Sequence, residues 1–227
     1  MAKKQKKPSA KKQPSKFLYW MIGLVAVCII GLVVLANLPK DGFDFDYTDQ
    51  PFLGEKSADV NIVEFGDYKC PVCKNFNQSF FPLIEKDLIN TGKAKFYYMN
   101  YPFIHPVDST RAAVFAEAVY AELGNDTFWK FHELLYEKQP DDTSKENVEL
   151  NTEEFLKETL KEVTSDENVE KVAKAYSSET YQKRVDKDLS YVDTLNITGT
   201  PTIYVNGVKF EGNSYEEFQE MVDKAAK

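Results

Sequence analysis

Two cysteines separated by two residues, Cys70 and Cys73, are the residues whose types and spacing best suit covalent chemistry. They end the stretch VEFGDYKCPVC, in which a short apolar run reaches a Gly-Asp turn and Pro71 follows the first cysteine. If a helix begins at Pro71, the first sulfur lies at its N-terminus, where free N–H groups and the helix dipole stabilise a thiolate. The pattern predicts thiol–disulfide exchange, with Cys70 as the attacking thiol and Cys73 as a more buried resolving thiol.

The cysteine count favours this chemistry over a zinc site or a structural disulfide. The third cysteine, Cys28, lies in an apolar N-terminal stretch, so the rest of the chain contains only this pair. A disulfide that closes so short a loop would constrain the unfolded chain very little. A zinc site needs two more Cys or His ligands, and the two histidines, His105 and His132, are far apart in sequence. We therefore expect no metal and no cofactor besides the cysteine pair itself.

Two further places in the sequence are candidates for a role in the exchange. Glu64 ends an apolar run and is either an exposed strand end or a buried carboxyl that moves protons to and from the Cys73 thiol. Asp67 either shares this role or makes the turn. Thr200-Pro201 opens a later apolar run, as an ordinary strand-entry proline or as a cis bond that presents the Thr200 backbone to an incoming peptide.

The elements that must position these residues follow from the apolar pattern. Residues 60–65 and 94–101 are predicted strands, joined through a helix over residues 70–89 in a right-handed β-α-β unit. Five helices in succession then form an insertion at about 107–195. Asn206-Gly207, between two short apolar runs, predicts a β-hairpin, and a final helix follows. The expected fold class is α/β, with an inserted helical subdomain.

The N-terminal region differs in composition from the rest of the chain. Residues 1–16 contain seven lysines and no acid, and residues 17–38 are apolar and uncharged, long enough for one transmembrane helix. The lysines predict a cytoplasmic N-terminus and an extracytoplasmic body, tethered by an uncleaved single-pass anchor in the cell membrane. A cleaved signal peptide is the alternative. Residues 39–56 are expected to be a linker and residues 57–227 the folded domain.

The charge balance bears on the partners of this domain. The whole chain has a formal net charge of −8, and outside the basic tail 36 acidic residues face 21 basic ones. Nucleic acid is therefore excluded as a partner, because binding it requires a basic surface. The acid excess is typical of a solvated surface.

The sequence resembles the DsbA-like thiol–disulfide oxidoreductases, especially the membrane-anchored Gram-positive kind. The resemblance covers roughly residues 50–227 and depends on VEFGDYKCPVC, on TPTIYVNG at 200–207 and on the helical insertion between them. It implies a thioredoxin fold, with Cys70 as nucleophile, Cys73 as resolving thiol, Glu64 as buried acid and Thr200-Pro201 as the cis-proline loop. It also implies that a quinone-linked membrane oxidase of the DsbB-like kind reoxidises the protein, whose substrates are exported proteins with free cysteines.

The residues between the cysteines depart from the strongly oxidising members of this family, which carry Pro-His where this chain has Pro71-Val72. Because a valine side chain cannot donate a hydrogen bond, we expect backbone N–H groups, Lys69 and Lys74 to lower the pKa of Cys70. The expected function is disulfide introduction into exported proteins. A disulfide reductase or isomerase, and a non-catalytic thioredoxin-fold binding module or holdase, are the alternatives.

Overall fold

The computed structural model describes residues 19–25, 27–29 and 42–226. Residues 19–25 and 27–29 are helical. Most of the predicted anchor at 17–38 and all of the basic tail lie outside the described residues. Within the described part of the chain, no helix has the length and apolar character needed to cross a membrane. The chain divides into two compact units at residue 42, and Cys70 and Cys73 belong to the second.

A five-stranded mixed sheet forms the centre of the second unit. Its strands are arranged in the spatial order β1-β3-β2-β4-β5. Strands β2 and β3 are parallel, whereas the β1–β3, β2–β4 and β4–β5 pairs are antiparallel. The five strands are β1 (Phe52–Leu53), β2 (Val60–Gly66), β3 (Ala94–Asn100), β4 (Thr202–Val205) and β5 (Val208–Lys209).

The parallel pair β2–β3 confirms the predicted β-α-β unit, and the predicted hairpin joins β4 to β5. Asn206 and Gly207 both have positive φ angles, of 43° and 75°, as a two-residue turn of this kind requires. The edge strand β1 lies inside the range predicted as a linker. Its two residues carry no alternating pattern, and they become a strand only because β3 offers an unpaired edge.

The connection between β2 and β3 is helical throughout but not regular. It consists of α1 (Pro71–Asn75), a π-helical turn (Phe76–Phe80), α2 (Phe81–Ile84) and a second π-helical turn (Glu85–Ile89). Pro82, at the start of α2, lacks an N–H group and cannot make a regular intrahelical hydrogen bond. The sequence predicts one helix over this region, and the structure adds the two π-helical turns.

The predicted insertion contains five α-helices and one short 3₁₀ turn. Each α-helix found corresponds to one predicted from the sequence, with ends that differ by a few residues. The elements are α3 (Asp108–Leu123), α4 (Asn125–Lys138), the 3₁₀ turn (Thr143–Asn147), α5 (Glu153–Lys161), α6 (Asp166–Ala175) and α7 (Glu179–Leu195). The final helix α8 (Tyr215–Ala225) begins at a capping box in which Ser214 and Glu217 bond to each other's backbone N–H groups.

The two faces of the sheet bury two separate apolar clusters. Val60 and Ile62 point to the face covered by α1, α2 and the insertion, whereas Val63 and Phe65 point to the other. Because side chains alternate along a strand, Glu64 shares the face of Ile62. This alternation directs an acidic side chain into the larger cluster, which also contains both cysteines.

Candidate active site

Cys70 occupies the N-cap position of α1. Its backbone is extended, with φ −79° and ψ 119°, and Pro71 takes the first helical position, where a missing N–H costs nothing. The Cys70 N–H group donates to the Asp67 carbonyl at 3.0 Å, which closes the turn that leads from β2 into the helix. The sulfur therefore lies at the end of the helix where free N–H groups converge.

Hydrogen bonds lower the pKa of Cys70 to about 6. The largest contribution comes from the Cys73 thiol, and smaller ones come from Thr200 and the backbone N–H groups of Cys73 and Val72. Burial opposes them, because a thiolate loses hydration in an apolar environment. The expected backbone contribution is present, and the 59 % exposed Val72 side chain adds no donor.

The two lysines expected to assist Cys70 are engaged elsewhere. Lys69 is buried, and its ammonium group forms an ion pair with Asp108 at 3.1 Å. Lys74 donates to the Gln139 carbonyl and pairs with Asp141. Neither ammonium group is among the largest contributions to the pKa of Cys70, which come from hydrogen bonds and burial. Spacing alone places the lysines close to the cysteine but cannot show where long side chains point.

Cys73 is fully buried one turn into the helix, as predicted for a resolving thiol. Burial raises its pKa well above the usual value, and a hydrogen bond with Cys70 and the nearby Glu64 carboxyl raise it further. The pKa values of the two thiols are thus shifted in opposite directions. Cys70 is the thiolate at neutral pH, and Cys73 is the thiol that donates to it.

Glu64 is buried on β2, opposite Tyr98 of β3 and Ile203 of β4. Burial raises its pKa to about 8, and the Cys70 thiolate contributes to the shift. Its Oε1 atom has no hydrogen-bond partner. Of the two interpretations left open by the sequence, the exposed strand end is excluded and the buried carboxyl is found.

Asp67 makes the turn between β2 and α1. Its carboxylate accepts the N–H groups of Lys69, Phe103 and Ile104, each at 2.9 Å. These bonds tie the loop after β3 to the loop before the cysteines. Because both carboxylate oxygens are engaged in this way, Asp67 is a structural residue of the site.

Thr200-Pro201 forms the loop that faces the cysteines. The peptide bond between these two residues is cis. The Cys70 sulfur lies 3.4 Å from the Thr200 carbonyl oxygen, across 130 residues of sequence. The tertiary structure thus brings together both motifs identified in the sequence, at the carboxyl end of β2 and the amino end of β4.

Buried aromatic rings beneath the cysteines are a part of the site that sequence analysis did not identify. The Tyr68 hydroxyl bonds to His132 Nδ1 at 3.0 Å, and the Tyr98 hydroxyl bonds to that of Tyr136 at 3.1 Å. Burial lowers the pKa of His132 to about 3, which keeps the imidazole neutral. His132 is therefore a packing residue of α4, and Tyr68, directly before Lys69-Cys70, was the only sequence clue to this cluster.

His105 lies outside this cluster, in the loop before α3. Its Nδ1 atom accepts the Asp108 N–H group at 3.0 Å. Among the residues that the structure describes, no group of three or more His, Cys, Asp or Glu side chains is arranged to hold a metal ion.

Comparison with known proteins gives relatives that match most of the chain. The thioredoxin family model matches residues 47–224. Disulfide bond formation protein D of Bacillus subtilis is 41 % identical over 187 residues, which are 78 % of each chain. A probable disulfide bond formation protein D of Bacillus anthracis is 33 % identical and covers 91 % of this chain and 94 % of its own.

Solved structures agree with these matches. The crystal structure of oxidised BdbD from Bacillus subtilis has a TM-score of 0.72 and 40 % identity, covering 80 % of this chain and 95 % of its own. The structure of Chlamydia trachomatis DsbA, at 20 % identity, has a TM-score of 0.67 over 82 % of this chain and 96 % of its own, and so shares the fold. The chain therefore belongs to the DsbA-like thiol–disulfide oxidoreductases with a thioredoxin fold.

Proposed function

We propose that this oxidoreductase is a dithiol oxidase that introduces disulfide bonds into exported proteins through Cys70 and Cys73. The observation that carries the proposal is the difference in acidity between the two sulfurs, with the pKa of Cys70 lowered to about 6 and that of Cys73 raised. A thiolate stabilised in this way favours the reduced form of the pair. The disulfide of the oxidised form is then readily passed on, which supports oxidation over reduction.

The exchange conserves atoms and electrons. A substrate thiolate attacks the Cys70 sulfur of the oxidised pair, and Cys73 leaves and takes up a proton, for which the buried Glu64 carboxyl is the proposed donor. A second substrate thiolate then attacks the sulfur bonded to Cys70. Cys70 leaves as a thiolate, so the substrate loses two electrons and two thiol protons, and the protein gains the two electrons.

Thr200 and Pro201 are proposed to hold the substrate during this exchange. The Thr200 carbonyl lies 3.4 Å from the Cys70 sulfur, so a polypeptide bonded to Cys70 lies against this loop. An extended segment can add its backbone to such an exposed chain in the manner of an extra strand.

The proposed location is the outer face of the cell membrane, with residues 17–38 as a single-pass anchor and the N-terminus in the cytoplasm. The apolar length of this stretch and the lysines before it support the proposal. The relatives from Bacillus are named for disulfide bond formation. A quinone-linked membrane oxidase of the DsbB-like kind is the proposed partner for reoxidation.

The roles of the two cysteines are tested by single substitutions. We expect Cys70→Ala to abolish oxidation of a reduced, unfolded substrate protein, because the attacking sulfur is absent. Cys73→Ala, mixed with an oxidised substrate protein, is expected to accumulate mixed disulfides on a non-reducing gel, because Cys70 attacks the substrate disulfide and no Cys73 thiol is present to attack the resulting bond. Cys28→Ser serves as the matched control and retains full activity. Undiminished oxidation by Cys70→Ala would contradict the proposal.

The direction of transfer is tested by the equilibrium of the Cys70–Cys73 pair with glutathione. The reduction potential is about −120 mV for a strongly oxidising member of the superfamily and about −270 mV for the reducing thioredoxin. We expect a value toward the oxidising end, because the Cys70 thiolate is stabilised. A value at the reducing end would favour the alternative of a reductase, and activity retained by a double Cys→Ser variant would favour a binding module or holdase.

A further inference from the structure

A cavity of about 150 Å³ lies beside the cysteine pair and takes no part in the exchange described above. We call it the Pro71 cavity. Residues from both sides of Cys70 in sequence line it, namely Tyr68, Lys69 and Pro71. These three residues are one or two positions from Cys70 in the chain, and neighbouring Cα atoms are about 3.8 Å apart. A polypeptide bonded to the Cys70 sulfur therefore passes close to them.

The chemistry of the lining favours an apolar occupant. Three basic side chains, Lys69, Lys138 and Lys145, and two acidic ones, Asp142 and Glu146, border the cavity. The Lys69 ammonium group is paired with Asp108 and that of Lys138 with Glu162, so the charges leave no large excess of either sign. Of the eight uncharged lining residues, five are aromatic, aliphatic or proline, namely Tyr68, Pro71, Pro140, Leu150 and Phe155, and three are polar, namely Gln139, Thr143 and Asn151.

A buried ion pair fixes part of the wall of the cavity. The Lys69 ammonium group lies 3.1 Å from Asp108 Oδ2 and donates to the carbonyl oxygens of Val148 at 2.7 Å and Lys145 at 3.2 Å. The same Asp108 oxygen accepts the N–H group of Leu150 at 3.0 Å. The segment after α4 is thus fastened at several points to the residue that precedes Cys70, which gives the cavity a defined shape.

The volume of the cavity matches one side chain. An apolar protein cavity of about 150 Å³ is large enough to bind a benzene molecule. A second protein copy or a lipid chain would need a longer groove than this.

We propose that the Pro71 cavity is a specificity subsite, which binds one aromatic or branched aliphatic side chain next to the substrate cysteine. The inference depends on the proposed function, because the substrate must first be captured at Cys70. It adds a preference for particular sequences around the cysteine that is oxidised.

The test compares short peptides as reductants of the oxidised protein. Two capped peptides, Gly-Gly-Cys-Phe-Gly and Gly-Gly-Cys-Ala-Gly, and a second pair with Phe or Ala before the cysteine, are reacted in excess under identical conditions. We expect the Phe peptide of at least one pair to reduce the protein about tenfold faster than its Ala counterpart. A tenfold ratio corresponds to about 1.4 kcal/mol, which the burial of an aromatic side chain is sufficient to supply.

Variants that fill the cavity test whether the preference for the Phe peptide arises there. Thr143 and Lys145 line the cavity and have exposed side chains, so Thr143→Trp and Lys145→Trp place an indole at its edge without disturbing the core. Both variants are expected to lower the rate of the Phe peptide about tenfold, to that of the Ala peptide. The effect is expressed as the ratio of the Phe-peptide rate to the Ala-peptide rate, and the glutathione rate of each variant is measured alongside. Thr194→Trp, at an exposed position on α7 that does not line the cavity, is the matched control and keeps the preference.

Two results would overturn this inference while leaving the proposed function intact. One is equal rates for the Phe and Ala peptides of both pairs, together with normal reduction by glutathione. The other is a Phe preference that persists in both filled variants. An oxidised protein that reacts with no thiol at all, glutathione included, would overturn the proposed function and this inference together.

Discussion

Hydrogen bonds at the beginning of α1 determine the acidity of Cys70. The sulfur accepts from the Cys73 thiol and from backbone N–H groups, whereas the ammonium group of Lys74 is bound to Gln139 and Asp141. Nucleophilic strength therefore depends on the local geometry of the helix end. The positive charges close in sequence do not determine it.

The acidity of Cys70 gives the first prediction at the residue scale. In the reduced protein, the rate of alkylation by iodoacetamide should rise with pH through a midpoint of about 6, because only the thiolate reacts. Lys74→Met should leave this midpoint within about 0.3 units, since its ammonium group is engaged elsewhere. A midpoint that rises by a full unit in Lys74→Met would show that the lysine charge does contribute.

Glu64 gives a second prediction at this scale. Its pKa is raised to about 8, so the carboxyl is protonated at neutral pH and available to Cys73. Glu64→Gln keeps the shape but cannot transfer a proton, and we expect substrate oxidation to slow about 100-fold. The loss of activity as pH rises through 8 should disappear as well, whereas alkylation of Cys70 should change less than twofold. Wild-type oxidation rates in Glu64→Gln would contradict this role.

Strand β2 and the loop after it show how single elements position the site. Alternation along β2 turns Glu64 inward, and the Asp67 turn then places Cys70 at the start of α1. The segment between α4 and α5 depends on a different interaction. It has few buried apolar residues, and the Lys69–Asp108 pair holds it against the cysteine loop.

This ion pair gives a prediction at the scale of elements. Lys69→Met removes the cation from a carboxylate that is 0 % exposed, and only Arg111 remains to pair with Asp108. We expect a loss of about 3 kcal/mol in the free energy of unfolding, measured by urea denaturation.

Lys93→Met is the matched control, because its partner Asp223 and Lys93 itself are largely solvated, and it should cost less than about 1 kcal/mol. Equal losses in the two variants would show that burial of the Lys69 pair has no special importance.

At the scale of the whole molecule, a buried polar network joins the sheet to the insertion. Asn100 of β3 donates to Glu117 of α3 at 2.8 Å and to Asp188 of α7 at 3.1 Å. Gln50, before β1, donates to Asp188 at 2.7 Å. Arg184 Nη1 lies 3.8 Å from Glu117 Oε2. Four segments distant in sequence thus meet at two buried carboxyl groups.

The network predicts how stability depends on pH. Burial raises the pKa of Glu117 and Asp188 above their unfolded values of 4.5 and 3.8, and each carboxyl affects the other. At these two carboxyl groups the folded protein binds more protons than the unfolded chain above about pH 4.5, so they make the free energy of unfolding fall as pH rises. His132, whose pKa is lowered to about 3, has the opposite effect up to about pH 6.5, so the decline is measured between pH 6.5 and 8.

Glu117→Gln should reduce this decline by about 1–2 kcal/mol, in urea titrations of the oxidised protein, where the cysteines do not ionise. An unchanged slope in the variant would contradict the assignment of the decline to Glu117.

Much of the molecule could be predicted from the sequence because the signals are local. A Cys-x-x-Cys pair that follows a strand and opens a helix determines where the two sulfurs lie relative to the helix axis. Periodic apolar positions identify the five inserted helices, and Asn206-Gly207 identifies the hairpin. Each of these signals acts over a few residues, through backbone geometry and the period of the side chains.

Other features of the molecule were decided only by the tertiary structure, because they depend on contacts between residues that are distant in sequence. The burial of Glu64 follows from the sheet face to which it points and from the helices that cover it. The direction of Lys69 depends on Asp108, and the edge strand β1 depends on β3. The Pro71 cavity exists because residues next to Cys70 meet a segment about 75 residues later in the chain. Long-range packing is not encoded in local periodicity, and long flexible side chains adopt whichever partner the folded chain provides.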